Sequence, residues 1–97
     1  MMPIARWNGA VIAEAPKNQV EIVEGNVYFP EQAVNKAYLQ TSAKLSICPW
    51  KGIASYYDVV VDGKVNQDAA WTYRTPKDAA KEITGHIAFW HGIDVQR

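Results

Sequence analysis

The sequence predicts a mainly β fold of the α+β class, with one or two short helices. Short apolar runs lie between turn-forming residues at intervals of roughly 8–12 residues, a spacing typical of antiparallel strands. Glycine and proline are spread between these runs and form no linker or low-complexity tract. The pair Asp62 and Gly63 separates two longer runs and is a preferred two-residue hairpin turn. We therefore expect residues 1–97 to form a single domain.

Three short strands are predicted in the first third of the chain, at residues 10–13, 20–23 and 27–29. Turn-forming residues separate these strands, and Pro30 stops the third, because proline lacks the N–H that a sheet requires. Residues 31–39 are polar, with small apolar side chains at helical spacing. This pattern predicts one or two short helical turns there.

The clearest local prediction is a hairpin in which residues 55–61 pair with residues 64–75. If the register set by the turn continues without a bulge, it places Ala54 opposite Trp71. A bulge at residues 67–69 is the alternative, and we expect such a bulge to move the side chains in the outer half of the hairpin to the other face of the sheet. The unbulged register places three rings on one face, those of Tyr56, Trp71 and Tyr73.

A helix is predicted over residues 76–83, because Thr75 can cap it and a proline occupies its first position. Gly85 is placed to end this helix. Two further strands are predicted, at residues 86–91 and 93–95.

The composition is balanced in charge and rich in aromatic residues. Ten basic residues stand against ten acidic ones, and four Trp, five Tyr and two Phe supply eleven rings. A protein that binds a nucleic-acid backbone needs a basic excess, so we expect no nucleic-acid partner. No apolar run approaches the roughly 18 residues of a membrane span, and residues 1–7 do not resemble a signal peptide. The single cysteine fits a reducing compartment, and we expect a cytoplasmic protein.

Four segments carry a resemblance to a known family. They are residues 24–30 (EGNVYFP), 48–57 (CPWKGIASYY), 68–73 (DAAWTY) and 83–90 (ITGHIAFW). Together they resemble the bacterial family called domain of unknown function 427, over residues 7–95. The resemblance implies a compact, strongly curved antiparallel sheet of the β-tent kind, and the family carries a nucleotidyltransferase label. Some proteins of that architecture hold zinc with four cysteines, a ligand set that this chain lacks.

Enzymatic chemistry is the first class of function to weigh. Nucleotidyl transfer needs Mg²⁺ held by paired carboxylates. The nearest acidic pair, Asp58 and Asp62, is four residues apart, and Asp62 is used in the hairpin turn. A thiol enzyme is the other alternative, with Cys48 as nucleophile and Lys51 lowering the pKa of its thiol.

The two histidines decide whether thiol or metal chemistry is available. A reactive Cys48 needs a base such as His86 or His91 close in space, which the sequence does not establish. Cys48 and the two histidines also lack the spacing of a zinc site, and the histidines are five residues apart on one predicted strand. We therefore expect no metal and no cofactor.

A ligand pocket is the function class that the aromatic residues favour. A cleft lined by rings with a few polar groups is typical of a small-molecule site. The candidate rings are those of Trp50, Trp71, Trp90, Tyr56 and Tyr73, and we expect two of the five to face solvent. The polar groups considered for the same pocket are those of Lys51, Arg74, Glu24 and Asn26.

Lys51 is the residue around which we expect the site. It is a cation between Trp50 and a glycine, and the small residues Gly52 and Ala54 leave room for a concave patch beside the rings. A flat, anionic ligand suits that arrangement, and Glu24 is the expected internal partner if Lys51 is structural instead. A dimerising interaction module is the remaining alternative. The predicted ligand-binding residues are Trp50, Lys51, Tyr56, Trp71, Tyr73 and Glu24.

Overall fold

Nine strands and four short 3₁₀ helices form the computed structural model, which describes residues 2–97. The strands are β1 (Ile4–Trp7), β2 (Ala10–Glu14), β3 (Glu21–Val23), β4 (Asn26–Tyr28), β5 (Leu39–Cys48), β6 (Gly52–Val61), β7 (Lys64–Thr72), β8 (Ile87–Phe89) and β9 (Asp94–Gln96). The 3₁₀ helices are Lys17–Gln19, Glu31–Ala33, Lys36–Tyr38 and Asp78–Ile83. The prediction of a mainly β fold with few short helices is confirmed.

The strands form three antiparallel sheets. The largest has the order β5-β6-β7-β8, a second has the order β2-β1-β9, and β3 and β4 form a two-stranded ribbon. Phe29 continues β4 and exchanges two backbone hydrogen bonds with Ile87, both of 2.8 Å, so the ribbon is joined to β8. This junction brings the β3–β4 turn to the large sheet.

Two apolar clusters lie on the two faces of the large sheet. Val59 and Val61 of β6 belong to the first cluster, which also contains Phe29 and Ile12. Residues of opposite parity on β6 point to the other face, as side chains along a strand alternate. They enter the second cluster, whose buried members are Tyr28, Ala54, Tyr56, Trp71, Tyr73, Ala80, Ile83 and Ala88.

The predicted hairpin turn is confirmed, because Asp62 and Gly63 have φ values of 50° and 76°, as a type I′ turn requires. The unbulged register is wrong beyond Val59. Trp71 lies opposite Tyr56 instead of Ala54, since residues 67–69 bulge out across from Asp58. The bulge expected at residues 67–69 is present, but the expectation that it moves the outer half to the other face is wrong: it adds two residues, which preserves the alternation, so Tyr56, Trp71 and Tyr73 remain on one face.

The predicted helix after β7 is a kinked 3₁₀ helix, Asp78–Ile83, and the prediction that Thr75 caps it is wrong. Lys77 occupies the cap position and no side chain caps the helix. The chain before it is held along β6 instead, because the Lys77 N–H donates to the Lys51 carbonyl at 2.9 Å. Gly85, with φ of 72°, follows the helix as expected.

The remaining predicted elements are present with shifted ends. The helical turns expected within residues 31–39 are two 3₁₀ helices, and the strand expected over residues 86–91 is limited to β8. Strands β1 and β5 were not predicted. Within residues 2–97 there is no helix long and apolar enough to cross a membrane.

Candidate functional site

The candidate site is a cavity of about 210 Å³ on the second-cluster face of the large sheet. Strands β4, β6 and β7 and the residue after β8 contribute to it. We call it the aromatic pocket, and its lining residues are Asn26, Lys51, Tyr56, Trp71, Tyr73 and Trp90.

Trp71 is the fixed centre of the pocket wall. Its indole N–H donates to the buried Tyr28 hydroxyl at 3.2 Å, and the two rings meet edge to face at 6.2 Å. Tyr56 lies directly opposite Trp71 on the neighbouring strand. The Tyr56 hydroxyl is in turn hydrogen-bonded to Ser46 at 2.9 Å. These contacts hold two rings of the pocket before any ligand binds.

The bulge in β7 positions Trp90 at the pocket mouth. The Trp90 indole N–H donates to the Asp68 carbonyl at 2.6 Å, and its backbone N–H donates to the Ala69 carbonyl at 3.0 Å. Its ring centroid lies 5.3 Å from that of Trp71 and 6.3 Å from that of Tyr56. Asp68 itself has φ of 56°, and its N–H donates to an Asp58 carboxylate oxygen at 2.8 Å. The bulge in β7 therefore holds Trp90, the third ring of the pocket, in place through these two hydrogen bonds.

Two of the five candidate rings face solvent, as predicted. Trp50 is 38% exposed and Trp90 is 39% exposed, whereas Tyr56, Trp71 and Tyr73 are buried. Trp90 lines the aromatic pocket and Trp50 does not. The exposed indole of Trp90 is therefore the ring most available to a ligand.

Lys51 is buried in the pocket floor and forms an ion pair with Glu24, the partner expected from the sequence. Burial is the largest single effect and opposes the charged form of Lys51, but the hydrogen bond to Glu24 and the Coulombic effects of Tyr28, Tyr73 and Glu24 together outweigh it and raise the pKa of the lysine above its ordinary value. The same hydrogen bond, with a weaker one from the Trp50 indole at 3.4 Å, lowers the pKa of Glu24. Lys51 therefore stays charged, with its charge largely balanced by Glu24.

Tyr73 and Trp50 lie on either side of the Lys51 ammonium. The nitrogen is 5.4 Å from the centroid of each ring, within the range of a cation–π contact. Burial raises the pKa of the Tyr73 hydroxyl, and the charge of Lys51 only partly offsets that effect. Tyr73 is therefore a neutral hydroxyl at the pocket floor at neutral pH.

Lys44 supplies a second ammonium, at the outer rim of the pocket. Its nitrogen lies 4.8 Å from the Tyr56 centroid and 5.7 Å from the Trp90 centroid. Lys44 stands where the pairing of β5 with β6 is interrupted, and its backbone N–H donates to the Ser42 hydroxyl at 3.1 Å. The sequence did not point to Lys44, because β5 was not predicted.

The structure brings together four of the six predicted ligand-binding residues: Lys51, Tyr56, Trp71 and Tyr73 all line the aromatic pocket. The other two, Trp50 and Glu24, contact Lys51 from outside the cavity. Two residues of the wider inventory, Trp90 and Asn26, enter the lining. The expectation that Gly52 leaves room beside the rings is wrong, because Gly52 faces residues 75–77.

Cys48, the candidate nucleophile, is half-buried against the second cluster, opposite Gly52. Among residues 2–97 no hydrogen bond joins its thiol to a histidine. His86 is hydrogen-bonded to the Thr84 carbonyl at 3.2 Å, and the ring of His91 packs against that of Trp90 at a tilt of 41°, with centroids 4.1 Å apart. Within the same residues, no three His, Cys, Asp or Glu side chains form a cluster that could hold a metal ion.

Fold and pocket together define a small antiparallel β protein in which an aromatic pocket lies above a buried lysine. The comparison with known families agrees with the resemblance seen in the sequence. The chain belongs to the family described as a domain of unknown function (DUF427), whose model matches residues 4–97. No curated protein matches the chain.

Proposed function

We propose that this protein binds a small, flat, anionic ligand in the aromatic pocket. The observation that carries the proposal is the convergence of four rings from three segments of the chain around one open cavity, with two ammonium groups beside them. Large rings usually fill the core of so small a protein. Here one of them, Trp90, is left 39% exposed at the mouth.

The dimensions of the pocket limit what enters it. Its volume of about 210 Å³ is below the roughly 300–1,000 Å³ of drug-sized sites, so it accommodates one ring system and leaves the rest of a ligand outside. Rings attract flat heterocycles by stacking, and the Trp90 face offers such a surface. A nucleobase or an aromatic carboxylate has the required size and shape.

The charges favour an anion over a cation. Lys44 and Lys51 contribute two ammonium groups near the pocket, and Glu24 contributes one carboxylate. Lys51 has three N–H donors, of which Glu24 accepts one, so the pocket floor retains donor capacity toward a ligand. Lys44 is exposed and forms no ion pair within residues 2–97, which leaves it free to meet a carboxylate or phosphate.

The test is a thermal-shift comparison of matched charged and neutral probes, followed by calorimetry on each hit. Suitable pairs are adenosine monophosphate with adenosine, and indole-3-carboxylate with indole. We expect the charged member of a pair to bind more tightly. The Lys51→Met variant, which keeps most of the lysine stem, should fold and lose binding.

Two further substitutions separate the pocket from the rest of the surface. Trp90→Ala should abolish binding, whereas Trp50→Ala removes an equally exposed indole outside the pocket and should preserve most of it. Lys44→Gln should weaken binding of the charged probe and leave binding of the neutral probe unchanged. A hit that shifts the wild type and Lys51→Met equally would contradict the assignment of the site.

A further inference from the structure

A second and larger cavity, of about 440 Å³, lies on the other face of β6. Ile53 and Ser55 line it, and they alternate along the strand with Ala54 and Tyr56, which face the aromatic pocket. The two cavities are therefore separated by the sheet. We call the second one the basic groove, and its lining residues are Gly52, Ile53, Ser55, Arg74, Thr75 and Lys77.

Two cations are held at the basic groove by contacts with uncharged groups. The Arg74 guanidinium lies 5.6 Å from the centroid of the Tyr57 ring. The Lys77 ammonium donates one hydrogen bond, to the Pro49 carbonyl at 2.7 Å. Within residues 2–97 neither cation forms an ion pair, and the carboxylate that shares a neighbouring cavity with Arg74, that of Glu31, is paired with Lys36 at 2.8 Å.

Gly52 meets the far wall of the groove at the start of β6. A Cβ atom at this position would lie 3.6–3.7 Å from residues 75–77, and the residue has φ of +111°, where a side chain is strained. These are ordinary contact distances that would admit a Cβ atom, so the backbone conformation is what favours glycine here, and the segment is held by the hydrogen bond from the Lys77 N–H to the Lys51 carbonyl. The two cationic side chains are thereby carried by a wall that is fixed to the sheet.

The remaining groups of the groove suit the rest of an anionic ligand. The side-chain hydroxyls of Ser55 and Thr75 form no hydrogen bond in the described part of the chain, so both are available to a ligand. Ile53 is 57% exposed and forms an apolar wall. Ile47, which lies opposite Ile53 on β5, extends the same apolar surface.

We propose that the basic groove binds a phosphate monoester with an aliphatic body. Two cations match the charge of a phosphate dianion, and the guanidinium of Arg74 can hold two of its oxygens at once. The hydroxyls supply additional hydrogen bonds, and Ile53 contacts the aliphatic part. This site is independent of the aromatic pocket and of the function proposed for it.

The test is calorimetry with hexyl phosphate, a probe that carries the anion but has no flat ring to stack in the aromatic pocket. We expect the wild type to bind hexyl phosphate, inorganic phosphate to compete, and hexanol not to bind. Arg74→Gln should weaken binding at least tenfold, and Arg74→Lys should weaken it less, since a charge remains. Lys77→Gln is the second variant, and it should weaken binding as well.

Two controls make the result specific. Lys64→Gln removes a charge at the hairpin tip, outside both cavities, and Lys44→Gln removes the charge at the aromatic pocket; neither should change hexyl phosphate binding. Equal binding by wild type and Arg74→Gln would overturn the proposal, as would a loss in Lys44→Gln. Cosedimentation with phosphatidic acid vesicles, without binding of soluble hexyl phosphate, would also overturn it, because the surface would then recognise a membrane and not a small molecule.

Discussion

Glu24 and Lys51 form an ion pair between two turns that are 27 residues apart in the chain. Glu24 begins the β3–β4 turn, where its φ is 54°, and Lys51 ends the connection between β5 and β6. The pair therefore ties the two-stranded ribbon to the large sheet, directly beneath the aromatic pocket. Its two members differ in environment, because the Lys51 side chain is 7% exposed and that of Glu24 is 52% exposed.

This asymmetry predicts that the two single substitutions differ in effect. Lys51→Met leaves a carboxylate that water can solvate and replaces a buried charge with an apolar side chain, so we expect a loss of about 1 kcal/mol or less in the free energy of unfolding. Glu24→Gln leaves the buried ammonium without its counter-charge and should lower the melting temperature more. Thermal unfolding of both variants at pH 7 measures the difference, with Lys36→Met, in an exposed pair, as the near-neutral control. The reverse order of the two melting temperatures would show that the lysine needs no partner.

The ion pair also predicts how stability depends on pH in acid. The folded-state pKa of Glu24 is lowered, so the unfolded chain binds its proton first, and the stabilisation is present above the ordinary pKa of about 4.5. It is lost as the pH falls through the folded-state pKa. Glu31, paired with Lys36, also has a lowered pKa and contributes a similar loss of stability in acid. Melting temperatures from pH 2 to 6 should fall less steeply in Glu24→Gln than in wild type, and an unchanged slope would contradict the pairing.

At alkaline pH the stability should fall as the pH rises, which is the opposite of its dependence on pH in acid. The pKa values of Lys51 and Tyr73 are both raised in the folded state, so the stabilisation is complete below their ordinary values of about 10 and is lost as the pH rises above them. Tyr73→Phe removes one of the two groups and should flatten the decline in melting temperature above pH 10. Tyr57→Phe, a half-buried tyrosine whose substitution leaves Tyr73 in place, is the control.

The β6–β7 turn predicts a penalty for any side chain at Gly63 that resists positive φ. An ideal Cβ at this position meets no atom within 4 Å, so the cost of a substitution comes from the backbone alone. We expect Gly63→Val to destabilise the protein by about 1–2 kcal/mol, because φ of +76° is strained for a β-branched residue. Gly63→Asn should cost less, since asparagine tolerates this region. Chemical denaturation of the two variants tests the ordering, and equal losses would remove the backbone explanation.

Thr75 and Asn35 form a matched pair for testing where a side chain caps a helix. The Asn35 side chain accepts a hydrogen bond from the Ala37 N–H at 3.1 Å, at the start of a 3₁₀ helix, whereas Thr75 caps nothing. Asn35→Ala should cost about 0.5–1 kcal/mol, and Thr75→Ala should cost less than about 0.5 kcal/mol. Urea denaturation measures both losses in the free energy of unfolding. A larger loss in Thr75→Ala than in Asn35→Ala would support Thr75 as the helix cap that the sequence predicts.

Local signals predicted many of the turns and strands but left two strands unassigned. Strand β5 (Leu39–Cys48) was missed although apolar and polar residues alternate over residues 43–47, and its large apolar residues Leu45 and Ile47 are exposed in the structure. The β1–β2 turn contains Asn8 and Gly9, with φ of 50° and 80°, a type I′ pair that the sequence does signal. Lys44 was lost with β5, although it is the cation nearest to the pocket mouth.

The sequence by itself determined the β class, the positive-φ turn at Asp62 and Gly63, and the placement of Trp71 and Tyr73 on one face of their strand. These properties follow from strand alternation and from the conformational range of individual residues, both of which are local. Only the tertiary structure decided that Tyr56 and Trp90 join those rings and that Lys51 is paired with Glu24. The hydrogen bonds that fix Trp90 and Lys51 connect residues 22 and 27 positions apart, Trp90 with Asp68 and Lys51 with Glu24. Hydrogen bonds and packing between such distant residues depend on the bulge in β7 and on how the ribbon docks, which no local propensity specifies.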